Sequence, residues 1–375
     1  MPQSTRNVES PPVRENGTLQ PSASGRVELN RHMNTRERYS RQILFDKIGE
    51  AGQARLAESC AVIIGCGALG AIQAETLARA GVGRLVLVDR DFVEESNLQR
   101  QIMFEEADAR ERLPKAVAAA RRIRRVNSDT VVEAVVKDVN FENVEDIIAV
   151  ADVVMDGTDN FETRFLINDA SIKLAKPWVY GAAVGSYGLT MTIIPGETPC
   201  LRCVLEALPD PGSGPTCDTA GVLMPVVSVI GSIQSIEAIK LMTGNTDALH
   251  RSVVRVDVWD FQLRQIALES FSSNPECPAC GDRDFEFLRG AGRQVTTTLC
   301  GRNAVQIAKS GAASIDFRAL AERLKPLGEV AFNDFLLRFR VDEYDITVFR
   351  DSRSIIRGTA DPAVARSIYA RYIGA

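Results

Sequence analysis

Short apolar stretches alternate with longer segments of helical periodicity through the first two thirds of the chain. Apolar runs bounded by turn residues predict strands at residues 61–64, 84–88, 130–139, 152–155 and 178–183. Apolar residues at helical spacing predict helices at residues 37–57, 69–80 and 161–174. Strands and helices in this alternation are typical of a doubly wound α/β sheet.

The pattern changes in the last part of the chain. It predicts a strand at 189–194, an irregular loop at 200–222, a helix at 225–242 and a strand pair at 253–259 and 263–268. Farther on it predicts a helix at 317–324, a hairpin at 335–341 and 344–349, and a closing helix at 363–372. We therefore expect a Rossmann-like doubly wound, mostly parallel sheet with an antiparallel extension, plus a small C-terminal α+β domain.

The expected domain boundaries follow the same changes in pattern. Residues 1–35 are rich in Ser, Pro, Asn, Gly and charge, and they predict a disordered tail. The main domain is expected at residues 36–289, and the small accessory domain at residues 293–375, after a glycine-containing hinge.

Composition limits the classes of partner. The formal net charge of −5 gives no reason to expect nucleic acid or an anionic membrane. No apolar run reaches the length of a membrane span, and the polar N-terminus lacks the apolar core of a signal peptide, so a cytoplasmic location is predicted. In that reducing compartment, the eight cysteines favour metal or thiol chemistry over disulfides.

A glycine-rich turn between the first strand and the next helix indicates a nucleotide site. Gly65, Gly67 and Gly70 form the G-x-G-x-x-G pattern, and Asp89 ends the following strand. Such glycines let a phosphate approach backbone N–H groups, and the carboxylate can accept from ribose hydroxyls. The same residues fit a nicotinamide-dependent oxidoreductase, or glycines used only for strand–helix packing.

Charged residues after later strands favour a triphosphate over a dinucleotide. Arg100 and Lys115 can stabilise a leaving pyrophosphate, and Asp159 can hold Mg²⁺. Each basic residue alone could be a solvated surface residue. Their combination at the carboxyl ends of successive strands points to chemistry on ATP.

Taken together, Gly65–Gly70, Asp89, Ser96–Gln101, Lys115 and Thr158–Asn160 resemble the ThiF/MoeB/HesA adenylyltransferases, relatives of ubiquitin-activating enzymes. The resemblance runs from about residue 38 to residue 282. It implies contacts with ATP and Mg²⁺ by Gly65, Gly67, Gly70, Asp89, Asp91, Asn97, Arg100, Gln101, Lys115, Asp159 and Asn160. In this set Gly67 and Asp89 meet adenosine and ribose, Asn97, Arg100 and Lys115 meet the phosphates, and Asp159 holds Mg²⁺.

Two further features bear on the resemblance. Arg41 lies in the family's Arg-Tyr-x-Arg-Gln segment, which implies an arginine that reaches the partner subunit's ATP in a homodimer. Ala68 stands where many members have a second glycine, and its Cβ need not touch phosphate.

Two Cys-x-x-Cys pairs indicate a structural zinc site. Cys200 and Cys203 form one pair, and Cys277 and Cys280 form the other. Four thiolates make a closed tetrahedral site with no position left for a substrate. Unrelated thiols or redox pairs are the alternative.

The remaining cysteines differ in context. Cys217 lies on a predicted loop ahead of a helix, where a thiolate could act as a nucleophile, although adenylation itself needs none. Family members carry a cysteine here that forms covalent links to the carrier protein. We expect Cys60 and Cys66 to be buried and Cys300 to be structural, and the positions of His32 and His250 argue against a histidine general base.

The resemblance implies ATP-dependent adenylation of the C-terminal carboxylate of a small ubiquitin-like or sulfur-carrier protein ending in Gly-Gly. A sulfur donor such as a cysteine desulfurase or a rhodanese could follow, with a thioester or acyl disulfide at Cys217. The alternatives are an NAD(P)-dependent oxidoreductase, a non-catalytic scaffold, and an activating enzyme for protein conjugation.

Overall fold

The computed structural model describes residues 36–205, 207, 220–271, 276–290, 296–299, 303–307, 315–350 and 352–373. Among the described residues, 36–41 belong to a first, N-terminal unit, and those from Gln42 onward belong to a second, compact unit that contains both sheets. In the first unit, the Ser40 hydroxyl donates to the Glu37 carbonyl.

The larger sheet contains eight strands among the described residues, in the order β3-β2-β1-β4-β5-β6-β7-β8. These are β1 (Cys60–Ile64), β2 (Arg84–Val88), β3 (Val131–Val135), β4 (Val153–Asp156), β5 (Trp178–Val184), β6 (Tyr187–Ile193), β7 (Ser252–Asp257) and β8 (Gln262–Ala267). Across the sheet, the five neighbouring strands β3-β2-β1-β4-β5 pair in parallel. Strands β5-β6-β7-β8 pair in antiparallel fashion.

The helices that follow in chain order among these residues are α1 (Ser40–Ile43), α2 (Gly49–Glu58), α3 (Ala68–Ala80), α4 (Glu106–Glu111), α5 (Lys115–Val126), α6 (Val144–Ile148), α7 (Phe161–Lys173), α8 (Leu201–Val204), α9 (Met224–Thr243), α10 (Phe317–Leu324) and α11 (Pro362–Tyr372). Short 3₁₀ turns occur at Glu95–Asn97, Thr246–Ala248, Leu268–Ser270 and Phe287–Arg289.

Both faces of the larger sheet are covered by helices. Ile63, Leu87 and Met155 pack in one core with α2, α3, α5 and α9. Alternate strand residues, such as Val62 and Val154, pack in a second core with α6 and α7. Because the central parallel strands are buried on both faces, they are continuous apolar runs, and this is why the sequence predicted them well. The expected doubly wound sheet is confirmed.

Strands near the C-terminus form a second, wholly antiparallel sheet in the order β11-β12-β13-β14-β10-β9. Its strands are β9 (Thr296–Leu299), β10 (Ala304–Ile307), β11 (Glu329–Phe332), β12 (Leu336–Val341), β13 (Tyr344–Phe349) and β14 (Ser354–Arg357). Helices α10 and α11 pack on it around Phe339 and Ile356 in a core of their own. The expected C-terminal α+β domain is confirmed as a fold, while its exact boundaries stay a prediction.

Three expected elements were wrong in extent. The single helix at residues 37–57 is divided into α1 and α2 by turn residues 44–48, and Gly49, the first residue of α2, has φ +57°, which would break a continuous helix at this point. The strand at residues 130–139 is only Val131–Val135, because its partner β2 ends at Val88. The irregular loop at 200–222 contains α8; its residues 206 and 208–219 lie outside the described residues.

Helix α9 is long and apolar enough, within the described residues, to pass a length-and-composition test for a membrane span. Of its most apolar window, 61% is buried inside the protein. A buried core helix passes the same test, so the finding carries little weight.

Candidate active site

The candidate site lies at the point where the order of the parallel strands reverses. Strand β1 has β2 on one side and β4 on the other, so the loops after these strands diverge from a common edge. Open α/β sheets bind their ligands in the crevice formed there. The loops carry Gly65–Gly70 after β1, Asp89 after β2, and the segment from Gly157 to Asn160 after β4.

The glycines of this crevice differ in what surrounds them. Gly65 has φ +89°, and a Cβ on it would stand 2.5 Å from the Gly157 carbonyl oxygen. A Cβ on Gly70 would overlap the Gly65 carbonyl, and one on Gly157 would overlap the same oxygen. On Gly67, the nearest neighbour would be Gln101 Nε2 at 3.8 Å. The protein's own packing therefore requires Gly65, Gly70 and Gly157, whereas a Cβ on Gly67 would fit with ordinary contacts.

The Asp89 carboxylate ties the glycine loop to the end of β2. Its Oδ2 accepts from the Cys66 N–H at 2.7 Å, and its Oδ1 accepts from the Asp91 N–H at 2.7 Å. Burial raises the pKa of this carboxyl, and Lys115 and the two N–H donors offset part of that increase. The sequence suggested a ribose acceptor. The structure shows that both oxygens hold the loop in shape, and the ribose contact stays a prediction.

Lys115 is almost completely buried at the start of α5. Its Nζ lies 3.4 Å from Asp91 Oδ2, and its side chain is only 6% exposed. Its backbone N–H donates to the Asp91 carbonyl at 2.9 Å. An ammonium group out of solvent beside a carboxylate has little freedom to move, so Lys115 presents a fixed charge next to Asp89.

The 3₁₀ turn Glu95–Asn97 and the residues just after it carry three of the candidate residues. Asn97 is buried, and its Oδ1 accepts from the Glu94 N–H at 3.1 Å. Arg100 donates to the Ser96 carbonyl at 2.8 Å and forms no ion pair with any described carboxylate. Gln101 is 4% exposed, and its Oε1 has no hydrogen-bond partner among the described residues. A buried acceptor without a partner is costly, so its position favours a ligand that donates to it.

A buried ion pair that sequence reasoning missed supports the loop after β4. Arg164 Nε lies 3.1 Å from Asp156 Oδ2, with side-chain exposures of 6% and 0%. Arg164 also donates to the carbonyls of Thr158 and Gly181 at 2.8 and 3.0 Å. Asp156 Oδ1 accepts from both the N–H and the hydroxyl of Thr158. An aspartate closing an apolar strand, with an arginine eight residues later, is the signal that could have found the pair.

The last two predicted residues of this loop have different environments. Asp159 is exposed, and its charge is among those that raise the pKa of Arg90 above its ordinary value, against the opposing effect of burial. Asn160 is the N-cap of α7, because its Oδ1 accepts from the Thr163 N–H at 2.8 Å. That oxygen has a structural role which the sequence prediction did not assign.

The four cysteines predicted to bind metal lie together. Their Sγ atoms are all within 4.8 Å of one another, with Cys200 3.7 Å from Cys277 and Cys203 3.4 Å from Cys280. Zinc bound tetrahedrally at its usual Zn–S length separates sulfurs by about 3.8 Å. Hydrogen bonding with Cys203 and Cys280, together with burial, raises the pKa of the Cys200 thiol. Four thiolates this close need a cation, and the set therefore fits zinc.

The cluster is anchored to α7 by buried polar contacts. Asn168 Oδ1 accepts from the Leu201 N–H at 2.9 Å, and Asp169 Oδ2 accepts from the Phe287 N–H at 3.1 Å. Arg202 is paired with Glu286, which joins the two cysteine-bearing segments. A bound metal would complete the same connection.

Other predicted residues are not brought into the crevice by the described structure. Arg41 is exposed and belongs to the first unit, so its role stays a prediction. Cys217, Cys300 and His32 lie outside the described residues. Cys60 and Cys66 are buried, as expected. His250 lies beside Glu237, with 3.6 Å between Nε2 and Oε2.

A family model agrees with this geometry. The model of the ThiF family matches residues 39–279. The chain belongs to the ThiF family. The resemblance inferred from the sequence motifs is thereby confirmed.

Curated relatives of this ThiF family chain include enzymes of known activity. The sulfur carrier protein ThiS adenylyltransferase of Bacillus subtilis is 48% identical over 339 residues, covering 90% of this chain and 99% of the relative. The SAMP-activating enzyme E1 of Haloferax volcanii is 41% identical, covering 66% and 89%. The ThiS adenylyltransferase of Escherichia coli is 42% identical, covering 66% and 97%.

Solved structures share the fold of this ThiF family member. The structure of E. coli MccB with MccA-N7isoASN superposes with a TM-score of 0.58 at 21% identity, covering 66% of this chain and 75% of that chain. At this identity the similarity shows the fold alone.

Proposed function

We propose that this chain is an ATP-dependent adenylyltransferase that activates the C-terminal glycine carboxylate of a small sulfur-carrier protein. The observation that carries the proposal is the crevice at the strand reversal. It combines a Gly67 that packing does not require, a buried Gln101 oxygen with no hydrogen-bond partner in the described part of the chain, and the cations Lys115 and Arg100. Membership of the ThiF family and the names of its relatives support the same activity.

The crevice suits ATP for physical reasons. The space at Gly67 would let a phosphate reach the N-terminus of α3, where backbone N–H groups and the helix dipole favour negative charge. Asp89 would accept from the ribose, and the Gln101 oxygen would accept from a donor on the nucleotide. Asp91, Asn97 and Asn160 line the neighbouring loops.

Catalysis would consist of alignment and charge stabilisation. The carrier carboxylate is ionised at neutral pH and needs no general base. Its oxygen attacks the α-phosphorus, the bond to the β-phosphate oxygen breaks, and pyrophosphate leaves with the negative charge. Arg100 and Lys115 would stabilise that charge, and Arg41 of a homodimer partner would add to it. Mg²⁺ held by Asp159 would neutralise phosphate charge when bound.

The four-cysteine cluster would hold a structural Zn²⁺ away from the chemistry. With four protein ligands the metal has no open position, so it would stabilise the segments around α8 rather than activate a substrate. Reduced thiols and a supply of ATP both fit a cytoplasmic location.

After adenylation, a sulfur nucleophile would take the activated carrier from AMP. Cys217, or the persulfide of a sulfur donor such as a cysteine desulfurase or a rhodanese, would displace AMP from the acyl-adenylate. If Cys217 attacks, its sulfur would bond to the carrier's carbonyl carbon as AMP leaves, giving a thioester. If a donor persulfide attacks instead, its terminal sulfur would form that bond as AMP leaves, giving an acyl disulfide with the donor.

The test is carrier-dependent exchange between ATP and labelled pyrophosphate, using a ThiS-type carrier ending in Gly-Gly. Asp159→Ala should reduce exchange by at least about a thousandfold, because the charge that holds Mg²⁺ is lost. Asp159 is exposed, so the variant should fold normally. Asp146→Ala, which removes an exposed carboxylate from α6, is the matched control and should leave exchange unchanged.

Full exchange in Asp159→Ala would remove this residue from the mechanism. The oxidoreductase alternative predicts thermal stabilisation by NAD(H) and none by Mg-ATP, whereas an adenylyltransferase predicts the reverse. Stabilisation by NAD(H) alone would overturn the proposed function.

A further inference from the structure

The second sheet contacts the larger one next to the nucleotide crevice. Phe92, which follows β2, is buried with Ala304, Leu336, Phe349 and Ile355 of the second sheet. Its ring centroid lies 6.4 Å from that of Phe349. The family match ends at residue 279, so this contact comes from a part of the chain outside it.

Polar groups of the second sheet bind the residues on both sides of Phe92. Arg353 donates to the Arg90 carbonyl at 2.5 Å. Gln306 donates to Asp138 Oδ2 at 3.1 Å, and Asp138 Oδ1 accepts from Arg90 at 2.9 Å. Arg357 is paired with the Glu94 carboxylate. Each of these contacts involves either residues 90–94 or Asp138, whose carboxylate binds Arg90.

Residues 90–94 connect the candidate ligands of ATP. Asp89 and Asp91 lie at one end of this segment, and the Asp91 carboxylate meets Lys115. At the other end, Glu94 and Asn97 form a reciprocal capping box that sets the 3₁₀ turn. The carbonyl of Asn97 then accepts from the N–H groups of Arg100 and Gln101.

The Glu94 carboxylate contacts both the capping box and the second sheet. It accepts from the Asn97 backbone N–H within the capping box and from Arg357 of β14. The exposed fractions of the Glu94 and Arg357 side chains are 20% and 32%. Arg357 therefore restrains the group that sets the backbone of Asn97, although it is far from it in sequence.

We propose that the second sheet is a positioning element of the nucleotide site, in which Arg357, Arg353 and Gln306 fix residues 90–94 so that Asn97, Arg100 and Gln101 face ATP. This inference rests on the proposed function, since it takes these three residues to bind ATP. Arg357 is the positioning residue with the most direct path, because one carboxylate separates it from the capping box.

The experiment uses the full-length chain and measures two quantities. The dissociation constant for Mg-ATP, by calorimetric titration, reports on the inference. Pyrophosphate exchange with a ThiS-type carrier reports on the proposed function. Arg357→Ala should weaken Mg-ATP binding about tenfold. The KM for the carrier should change less than about twofold, because Arg357 is not among the residues proposed to contact the carrier.

Matched variants separate positioning from folding. Arg357→Lys keeps a cation and should recover part of the affinity. Glu94→Gln keeps the oxygen that caps Asn97 but loses the ion pair, so it should weaken Mg-ATP binding to the same extent. The double variant Arg357→Ala with Glu94→Gln should bind Mg-ATP no more weakly than either single variant, because the two residues act as one unit. Arg340→Ala removes another arginine–glutamate pair of the second sheet, with Glu329 at 3.2 Å, and should leave affinity unchanged.

Mg-ATP affinity in Arg357→Ala equal to that of the wild type or of Arg340→Ala would overturn the inference, as would additive losses in the double variant. A wild type that binds Mg-ATP but shows no exchange would refute the proposed function and leave the affinity comparison valid. A wild type that does not bind Mg-ATP would refute both.

Discussion

At Gly67 the fold does not require a glycine, whereas the proposed ATP site does. Gly65 and Gly70 are glycine because a side chain would meet backbone atoms of the same loop. Gly67 has φ −73°, and a Cβ there would have room. Packing therefore does not require a glycine here, and the proposed ATP site supplies a reason for one, since a phosphate would come close to the backbone.

Substitution of Gly67 and Gly70 by alanine tests whether each glycine serves ligand binding or packing. Gly67→Ala should change the free energy of unfolding by less than about 1 kcal/mol and weaken Mg-ATP binding at least about tenfold. Gly70→Ala should lower the free energy of unfolding by at least about 2 kcal/mol, in spite of the better helix propensity of Ala, because its Cβ overlaps the Gly65 carbonyl. Urea unfolding and nucleotide titration measure the two effects. Unchanged affinity in Gly67→Ala would contradict this role of the residue.

At the scale of elements, the loop after β4 is held by a buried network rather than by its own turn residues. Arg164 of α7 lies between the rings of Phe161 and Tyr180, at 5.2 and 5.3 Å from their centroids, and it binds Asp156. The Asp156 carbonyl accepts from Gln73 of α3 and Gln234 of α9 at 2.8 and 2.9 Å. Two helices on one face and one on the other therefore converge on the end of a single strand.

Removing one member of the ion pair should be costly. Arg164→Met leaves the Asp156 carboxylate buried without its cation, and should lower the free energy of unfolding by about 3–5 kcal/mol. The double variant Arg164→Met with Asp156→Asn should lose less than the sum of the single variants, because the amide leaves no buried charge. Equilibrium unfolding of the four proteins provides the comparison. Strictly additive losses would show that the pair is not energetically coupled.

At the scale of the whole molecule, two connections join parts of the chain that are distant in sequence. The four-cysteine cluster joins residues 200–203 to residues 277–280 on the face covered by α7. The second sheet joins the segment after β2 through Phe92 and the polar contacts around it.

Zinc removal tests the first connection. The purified protein should contain about one zinc per chain by atomic emission, and Cys203→Ser should lose the metal and at least about 2 kcal/mol of unfolding free energy. Cys300→Ser, at a thiol outside the tetrad, is the control for the metal content and should keep the zinc. A metal-free wild type of undiminished stability would contradict the structural role of the cluster.

The sequence by itself determined the doubly wound sheet, the glycine turn and the thiolate tetrad. Buried parallel strands are written as apolar runs, and β2 and α10 were predicted with the bounds they have. The glycine pattern and the Cys-x-x-Cys spacing are local motifs, so they can be recognised in the sequence without knowledge of the fold.

Tertiary structure alone decided which residues support these features. Arg164 and Asp156 are paired because α7 returns over β4, and Arg357 reaches Glu94 because two sheets meet at Phe92. Those contacts join residues with no fixed spacing in sequence. The sequence also could not show that packing requires Gly65 and Gly70 but not Gly67, since what a side chain there would touch depends partly on the backbone after another strand.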